Sequence, residues 1–333
     1  MATLAANVLT LADWAKRLDP DGKVDAIVEM LSQTNEILTD MLFMEGNLPT
    51  GHRSTVRTGL PTAAWRLLNQ GITPSKSTTA QVDEAIGMLE AWSEVDKDLA
   101  ELNGNTGAFR LSEAQAFVEA MNQEMASTFI YGNSGTAPEE FNGLALRYNS
   151  LSGANAQNII DAGGTGSDNS SIWLVSWGAQ TTFGVFPKGS KAGLVHEDHG
   201  LVTVETTAGI AGSRMRAYQD RWQWKLGVVV KDWRYTVRAA NIDISDLVAK
   251  SSAADLFDTM IKMMHRIPNL RLGRPVFYMN RSVFQMLDIQ GRDDVQSGGG
   301  LKFENVEGVI QRTFRGVPVR LVDALTEAEA QIT

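Results

Sequence analysis

Cysteine is absent from the 333 residues. Disulfides, thiolate nucleophiles and cysteine-ligated zinc are excluded with it, so packing alone has to hold the fold. No stretch reaches the roughly 18 consecutive apolar residues of a spanning helix, and no membrane partner is expected. The start, "MATLAANVLTLADWAKRLD", has no basic residues ahead of its apolar stretch and meets an acid at Asp13, so a secretion signal is not expected. Positive charge is in deficit: 30 Lys and Arg face 39 Asp and Glu, for a net charge of −9. That balance argues against broad wrapping of nucleic acid, which needs a cationic surface, while leaving room for a local basic patch.

What is present fits a soluble globular chain, with 43% hydrophobic and 21% charged residues. The length exceeds one average domain, so two or more compact units are expected. Near the start, Thr10 and Asp13 fit a capping box, with Leu11, Trp14 and Leu18 on one helical face. After Pro20 and Gly22 a second stripe, Val24, Ile27, Val28, Leu31, Leu38, Met41 and Leu42, predicts helix up to Gly46. Residues 47–98 are Thr-rich and punctuated by Gly and Pro. They predict a long hairpin: a strand over 54–69, a turn at "TPSKS" (73–77) and a return strand over 79–95. The rival is a helix through Val82, Ile86 and Leu89, which Gly87 disfavours by about 1 kcal/mol. A helix from Ser112 as cap, with Gln115 at N3 and Phe117, Val118, Met121, Met125 and Phe129 as its stripe, stops at Tyr131-Gly132-Asn133. Residues 134–170 read as loop. From 172 to 244 the alternation of Trp222, Trp224 and Leu226, and of Tyr235 and Val237, predicts half-buried antiparallel sheet. A helix from near Ser252 turns Phe257, Met260, Ile261 and Met264 inward and ends by Pro268. After the Gly-rich "QSGGG" (296–300) comes a last pair of short strands.

Each stretch with a chemical look has a plainer reading. "GVFPKGSK" (184–191) puts Ser190 before Lys191, the reverse of a phosphate-binding loop, and no helix follows it. It reads as a turn between strands. "GGTGSDN" (163–169) is one copy of a calcium nonapeptide that needs stacked copies to bind, so it reads as a loop. "HEDH" (196–199) offers His196 and His199, three apart, but in strand-and-turn sequence such positions point to opposite faces. No Ser nucleophile elbow is present. In "RPVFYMNRSVFQMLD" (274–288), an apolar run meets a helical segment at Asn280. The residue reads as a helix cap accepting from residue 282 or 283, not as a reacting group. No catalytic, cofactor or metal residue is assigned.

The order of elements resembles the major capsid proteins of tailed bacteriophages, with their HK97-like α+β fold. The resemblance covers nearly the whole chain. An arm comes first, then an extended hairpin, then a long spine helix running into "FIYGNS" and "EFNGLALRY". A β-rich part follows, and then "FYMNRSVFQML" and "FRGVPVRLVDA". "WLVSWGAQTTFGVFPKGSKAGL" and "WKLGVVVKDWRYTVRAANI" are similar to a group of short-tailed phages. The resemblance implies an N-terminal arm (1–46), an extended loop (47–98), a peripheral domain in two parts (99–144 and 251–333) and an axial domain (145–250). It implies a structural protein of the virion, assembled in the host cytoplasm, and not an enzyme. On that resemblance, copies are expected to form pentamers and hexamers that close an icosahedral shell around double-stranded DNA, without reading its sequence. Partners are further copies, a portal, a separate scaffolding protein and a decoration protein.

An isolated two-stranded ribbon is marginal in water. The apolar residues of this hairpin, Leu60, Trp65, Leu67, Leu68, Ile86, Leu89 and Trp92, are therefore expected to need another surface, with a neighbouring copy as its supplier. Arg53, Arg57 and Arg66 are expected to pair with Glu84, Glu90 and Glu94, within or between copies, with Trp65 and Trp92 as the anchors. Three alternatives stand beside this reading: an encapsulin-like compartment, a metal-dependent hydrolase using His196 and His199, and a tail-tube subunit, which the long helix disfavours.

Overall fold

The computed structural model describes residues 9, 13, 32–102, 104–205, 213–251, 253–293, 301–306 and 309–333. Their chain forms two compact units. Met88–Met125 and Gly193–Lys225 belong to the first; Thr34–Gly87, Ala126–Ala192 and Leu226–Thr333 make the second. The helical stripe expected from Leu11 to Leu31 and the Gly-rich 296–300 lie outside the described residues. Leu38 is buried in a short helix, α1 (Ile37–Asp40). The helix does not run on to Gly46 as expected. Met41 turns extended, and β1 (Phe43–Glu45) pairs parallel with β7 (Thr182–Phe186).

The second unit is built on a mixed sheet ordered β5 (Ile159–Asp161), β10 (Thr236–Asp243), β6 (Asn169–Trp177), β11 (Arg274–Met279), β14 (Val317–Leu321), β13 (Val309–Phe314), β12 (Leu301–Val306). β6 pairs antiparallel with both β10 and β11, but β10–β5 and β11–β14 are parallel. The last strands number three, not two. The half-buried expectation fails at the centre, where all nine residues of β6 are buried. Ile172 and Leu174 face α5 (Ile244–Ala249), α6 (Leu256–Arg266) and α7 (Arg281–Asp293), joining Leu247, Met260 and Val283 in one core. On the other face Trp173 meets Tyr148 edge-on at 5.9 Å and Trp177 tilts against Phe129 at 5.9 Å. A strand covered on both faces has no reason to alternate.

Helix ends follow local chemistry. Asp255 caps α6 by accepting from the Asp258 N–H at 2.9 Å, so the helix starts at Leu256 and not near Ser252. Met260 and Met263 are its buried methionines, while Phe257, Ile261 and Met264 pack at the margin. Asn280 caps α7 as read from the sequence. Its Oδ1 accepts from the N–H groups of Ser282 and Val283 at 2.8 and 3.1 Å, and its Nδ2 donates to the Leu325 carbonyl and to Glu327. Asn280→Ala is expected to lower stability by about 1–2 kcal/mol, measured as the urea midpoint.

The long helix α3 spans Thr106–Tyr131, 26 residues, and begins a turn and a half before the expected Ser112 cap. Ser112 lies inside it and donates back to the Phe109 carbonyl at 2.8 Å. The reason is tertiary: Phe109 is buried against Val95 and Ala100 in the first unit, and that burial outweighs the cost of Gly107 in a helix. In the second unit α4 (Leu144–Arg147) follows the loop after Tyr131. Among the described residues the first unit holds three strands, β8 (Leu194–Glu205), the leading part of β9 (Arg214–Val230) and β4 (Gly87–Asp96), with α2 (Lys97–Glu101) and the leading part of α3 after β4. Here the half-buried expectation holds. Trp222 is buried and lies 5.3 Å from Phe117 of α3 in a stacked pair, whereas β8 does not alternate, since His196–His199 are all exposed.

Candidate assembly surface

The ribbon is shorter than its sequence suggests. β2 (Gly51–Gly59) pairs antiparallel with β3 (Thr78–Ala85), from Gly51 opposite Ala85 to Gly59 opposite Thr78. The expected strand over 54–69 ends at Gly59. Pro61 and Pro74 remove two of the amide donors that a longer ladder needs. The return strand breaks at Ile86, where the chain passes Gly227. A Cβ on Gly227 would sit 2.6 Å from the Ala85 carbonyl oxygen, so glycine alone permits the approach. The helical alternative at 80–92 is not what forms. Ile86 packs against Phe183, Val185 and Val229, so this ribbon residue needs no neighbouring copy.

The ribbon stands on two ion pairs. Arg53 grips Asp83 with two bonds of 2.6 Å at the surface. Arg147 grips Glu84 with bonds of 2.5 and 2.7 Å, in a buried setting where its guanidinium also reaches the carbonyls of Asn142 and Val228. Arg53 therefore pairs with Asp83 and not with a glutamate. Glu84 is only 6% exposed and is held by Arg147 within its own chain. The Asn47 side chain closes against the Arg53 backbone, donating to its carbonyl at 2.8 Å and accepting from its N–H at 2.7 Å.

Beyond this footing, residues 60–77 form no helix or strand and are exposed throughout. Ser75 to the Thr62 carbonyl and Gln70 to the Leu67 carbonyl are local bonds within the segment. Trp65 is fully in solvent at 104% exposure, with Leu68 at 89%, Leu60 at 78% and Leu67 at 69%. Contiguous exposed apolar surface of this kind marks a contact site. Charge is segregated along the same stretch. Residues 46–82 carry Arg53, Arg57, Arg66 and Lys76 without a carboxylate, whereas residues 83–101 carry seven carboxylates and one base, Lys97. Arg57 and Arg66 have no ion-pair partner among the described residues.

In the first unit Trp92 is 45% exposed. His199 stacks on it at 5.5 Å, and the Arg221 guanidinium lies 5.6 Å from its ring centre. Arg221 also bonds Glu90 at 2.5 Å and Glu197 at 3.0 Å, and Glu94 accepts from Gln219 at 2.8 Å. Glu90 and Glu94 thus have partners in their own chain and still face outward. His196 stacks on a different indole, Trp222, at 5.2 Å, with Nε2 2.9 Å from Asp220. Among the described residues no three His or acidic side chains come together in a metal-binding group. The "GVFPKGSK" stretch makes the turn that was read, with the Ser190 hydroxyl donating to the Pro187 carbonyl at 2.7 Å.

Arg110 bridges Asp198 and Asp220 at 2.7 and 2.9 Å. Its hydrogen bond, together with the Gly200 N–H, holds the Asp198 carboxyl below the usual range. A carboxylate shifted down contributes stability above its unfolded pKa and loses it as pH falls through the folded value. Acid below about pH 4 is therefore expected to weaken this contact. The urea midpoint should fall more steeply in that window for the natural chain than for Arg110→Met.

Sequence reasoning missed the most deeply buried ion pair among the described residues. Arg238, 4% exposed, donates to Glu329 at 2.8 Å, to the Tyr148 carbonyl at 2.8 Å and to Ser171 at 3.0 Å. Ser171 donates to the same carboxylate, and the Tyr131 hydroxyl donates to its other oxygen at 2.6 Å. Burial and the adjacent Glu329 push the Tyr131 phenol well up. The group ties the C-terminal segment to β6 and to the end of α3. Arg238, Ser171 and Tyr131 lie 91, 158 and 198 residues from Glu329, and no local pattern announces them.

Residues 19–333 match the family model "Major capsid protein GP7". The chain is 32% identical to the subunit in the cryo-electron-microscopy structure of bacteriophage Epsilon15, over 100% of both chains, with a TM-score of 0.78. It also has likeness to the capsid of a native GTA particle (11% identity, 71% of this chain and 99% of that one, TM-score 0.46) and to the SrpI encapsulin of Synechococcus elongatus (11%, 71% and 97%, TM-score 0.42). No curated protein matches it. The architecture is the mixed α+β, HK97-like capsid fold, and the family match sets aside the encapsulin, hydrolase and tail-tube alternatives. The chain belongs to the phage major capsid protein GP7 family: it is a structural component of the virion head that associates with copies of itself, and it is not an enzyme.

Proposed function

We propose that copies of this chain form pentamers and hexamers that close an icosahedral head around double-stranded DNA. The observation that carries this reading is the segment 60–77, whose Trp65, Leu67 and Leu68 are exposed and rest on no surface among the described residues. A shell supplies that surface at every position. Its contacts are heterologous, since self-complementary ones would stop at a dimer. Arg57, Arg66 and Trp65 on the ribbon meet acidic and aromatic side chains of a neighbour, among them Glu90, Glu94 and Trp92. The segments then take the roles of arm (1–46), extended loop (47–98), peripheral domain (99–144 and 251–333) and axial domain (145–250). A scaffolding protein, a portal and a decoration protein are the further partners. The net charge of −9 suits a container in which DNA slides without binding by sequence.

Negative-stain microscopy of the chain, expressed with and without the products of neighbouring genes, tests this. Rings or shells are expected. A lasting monomer under both conditions would end the proposal.

A further inference from the structure

We infer that the outer edge of β2, at Thr55–Gly59, receives the strand Gly87–Asp96 of a second copy of the chain. This rests on the shell reading above and specifies one of its contacts. Among the described residues β2 belongs to a two-stranded sheet, in which β3 covers one edge and leaves the other open. Arg53 turns its backbone N–H and C=O away from β3, and the Asn47 amide satisfies both. In an antiparallel ladder that orientation repeats every second residue. Thr55 and Arg57 therefore present their N–H and C=O groups to the same side, where no such amide follows. The open edge alone is a template for another strand.

The surroundings state which strand fits. Thr55 to Leu60 form one wall of a cleft of about 530 Å³, and Lys231 to Arg234 form the other. Arg234 takes both carboxylate oxygens of Asp232, at 2.9 and 2.7 Å. Arg57 and Lys231 are left as cations without a carboxylate among the described residues. An unpaired edge flanked by uncompensated cations fits an extended acidic peptide. Main-chain bonds hold it and side-chain charge selects it. The chain contains such a peptide. Gly87–Asp96 is already extended, is the terminal strand of its sheet, and carries Glu90, Glu94 and Asp96 with no base. A shell places one copy's cationic edge beside another copy's acidic one.

The absence of cysteine gives a clean test. Thr55→Cys provides a single thiol for a maleimide–benzophenone probe. Shells assembled from a mixture of isotopically light and heavy copies are irradiated, digested and analysed by mass spectrometry. The expected product joins the residue 55 peptide of one isotope to the 87–96 peptide of the other. In Arg57→Glu/Lys231→Glu shells its yield should fall about tenfold or more, because like charges then face each other. Intact shells whose links stay within one copy, map to another segment or reach another protein overturn this inference and leave the shell reading standing. An unchanged yield in the charge-reversed shells also overturns it. Failure to form any ring or shell overturns both.

Discussion

Glu329→Ala is expected to destabilise the folded chain by about 3–5 kcal/mol, because it leaves the Arg238 guanidinium buried without its carboxylate. The remaining acceptors of Arg238, the Ser171 hydroxyl and the Tyr148 carbonyl, are neutral. The same change strands the Tyr131 and Ser171 hydroxyls that donate to Glu329. Urea unfolding followed by tryptophan fluorescence is a suitable readout, since Arg238 lies 5.0 Å from the centre of the Trp173 ring. The paired replacement Arg238→Met/Glu329→Leu separates the explanations. Replacing a buried ion pair by apolar side chains is often near neutral. The double variant should therefore recover most of the loss. If it is as unstable as Glu329→Ala, the cost lies in packing of the C-terminal segment and not in the unpaired charge.

Trp65→Ala/Leu67→Ala/Leu68→Ala is expected to do the reverse: to leave the subunit intact and abolish the shell. All three side chains are exposed, and surface substitutions usually move stability by no more than about 0.5 kcal/mol. At an interface a buried Trp anchor is worth about 2 kcal/mol or more. A shell repeats the contact at every subunit, so the losses multiply across the assembly. Unfolding midpoints of the unassembled chain should match the natural ones while microscopy shows no particles. Normal yields of stable particles would remove the ribbon tip from the interface. A large fall in the subunit's own stability would mean that the tip packs within the chain.

Features that depend on neighbours in sequence were legible in advance. Asn280 caps its helix because the groups it satisfies are two and three residues away. The stop after Tyr131 and the turn at Pro187–Ser190 are of the same kind. The hairpin at 51–85 was legible as a hairpin, and its extent was not. Strand propensity continues past Gly59, but two prolines interrupt it, and among the described residues nothing covers 60–77. The start of α3 was misplaced because Phe109 is drawn into a core made by Val95 and Ala100, which no helix pattern around Ser112 reveals. The half-buried reading of β6 failed because alternation records how many faces are covered, and here both are.

The ion pairs divide in the same way. Charge type and density in 47–98 could be read directly, yet the partners could not. Arg53 takes Asp83 because the register sets them opposite, Glu84 takes Arg147 from 63 residues away, and Glu90 takes Arg221 from 131 residues away. His196 and His199 look like a pair in sequence and rest on separate indoles in space. By itself the sequence determined that the chain lacks thiol chemistry, that its elements follow the order of a shell protein, and that its ribbon carries cations ahead of an acidic run. Composition, periodicity and local capping are enough for those. Only the tertiary structure decided where the ribbon ends, which of its charges are already matched, and that a carboxylate near the C-terminus neutralises a buried arginine in mid-chain. These depend on contacts closed over long loops, whose energies are set by burial and geometry rather than by any neighbouring residue.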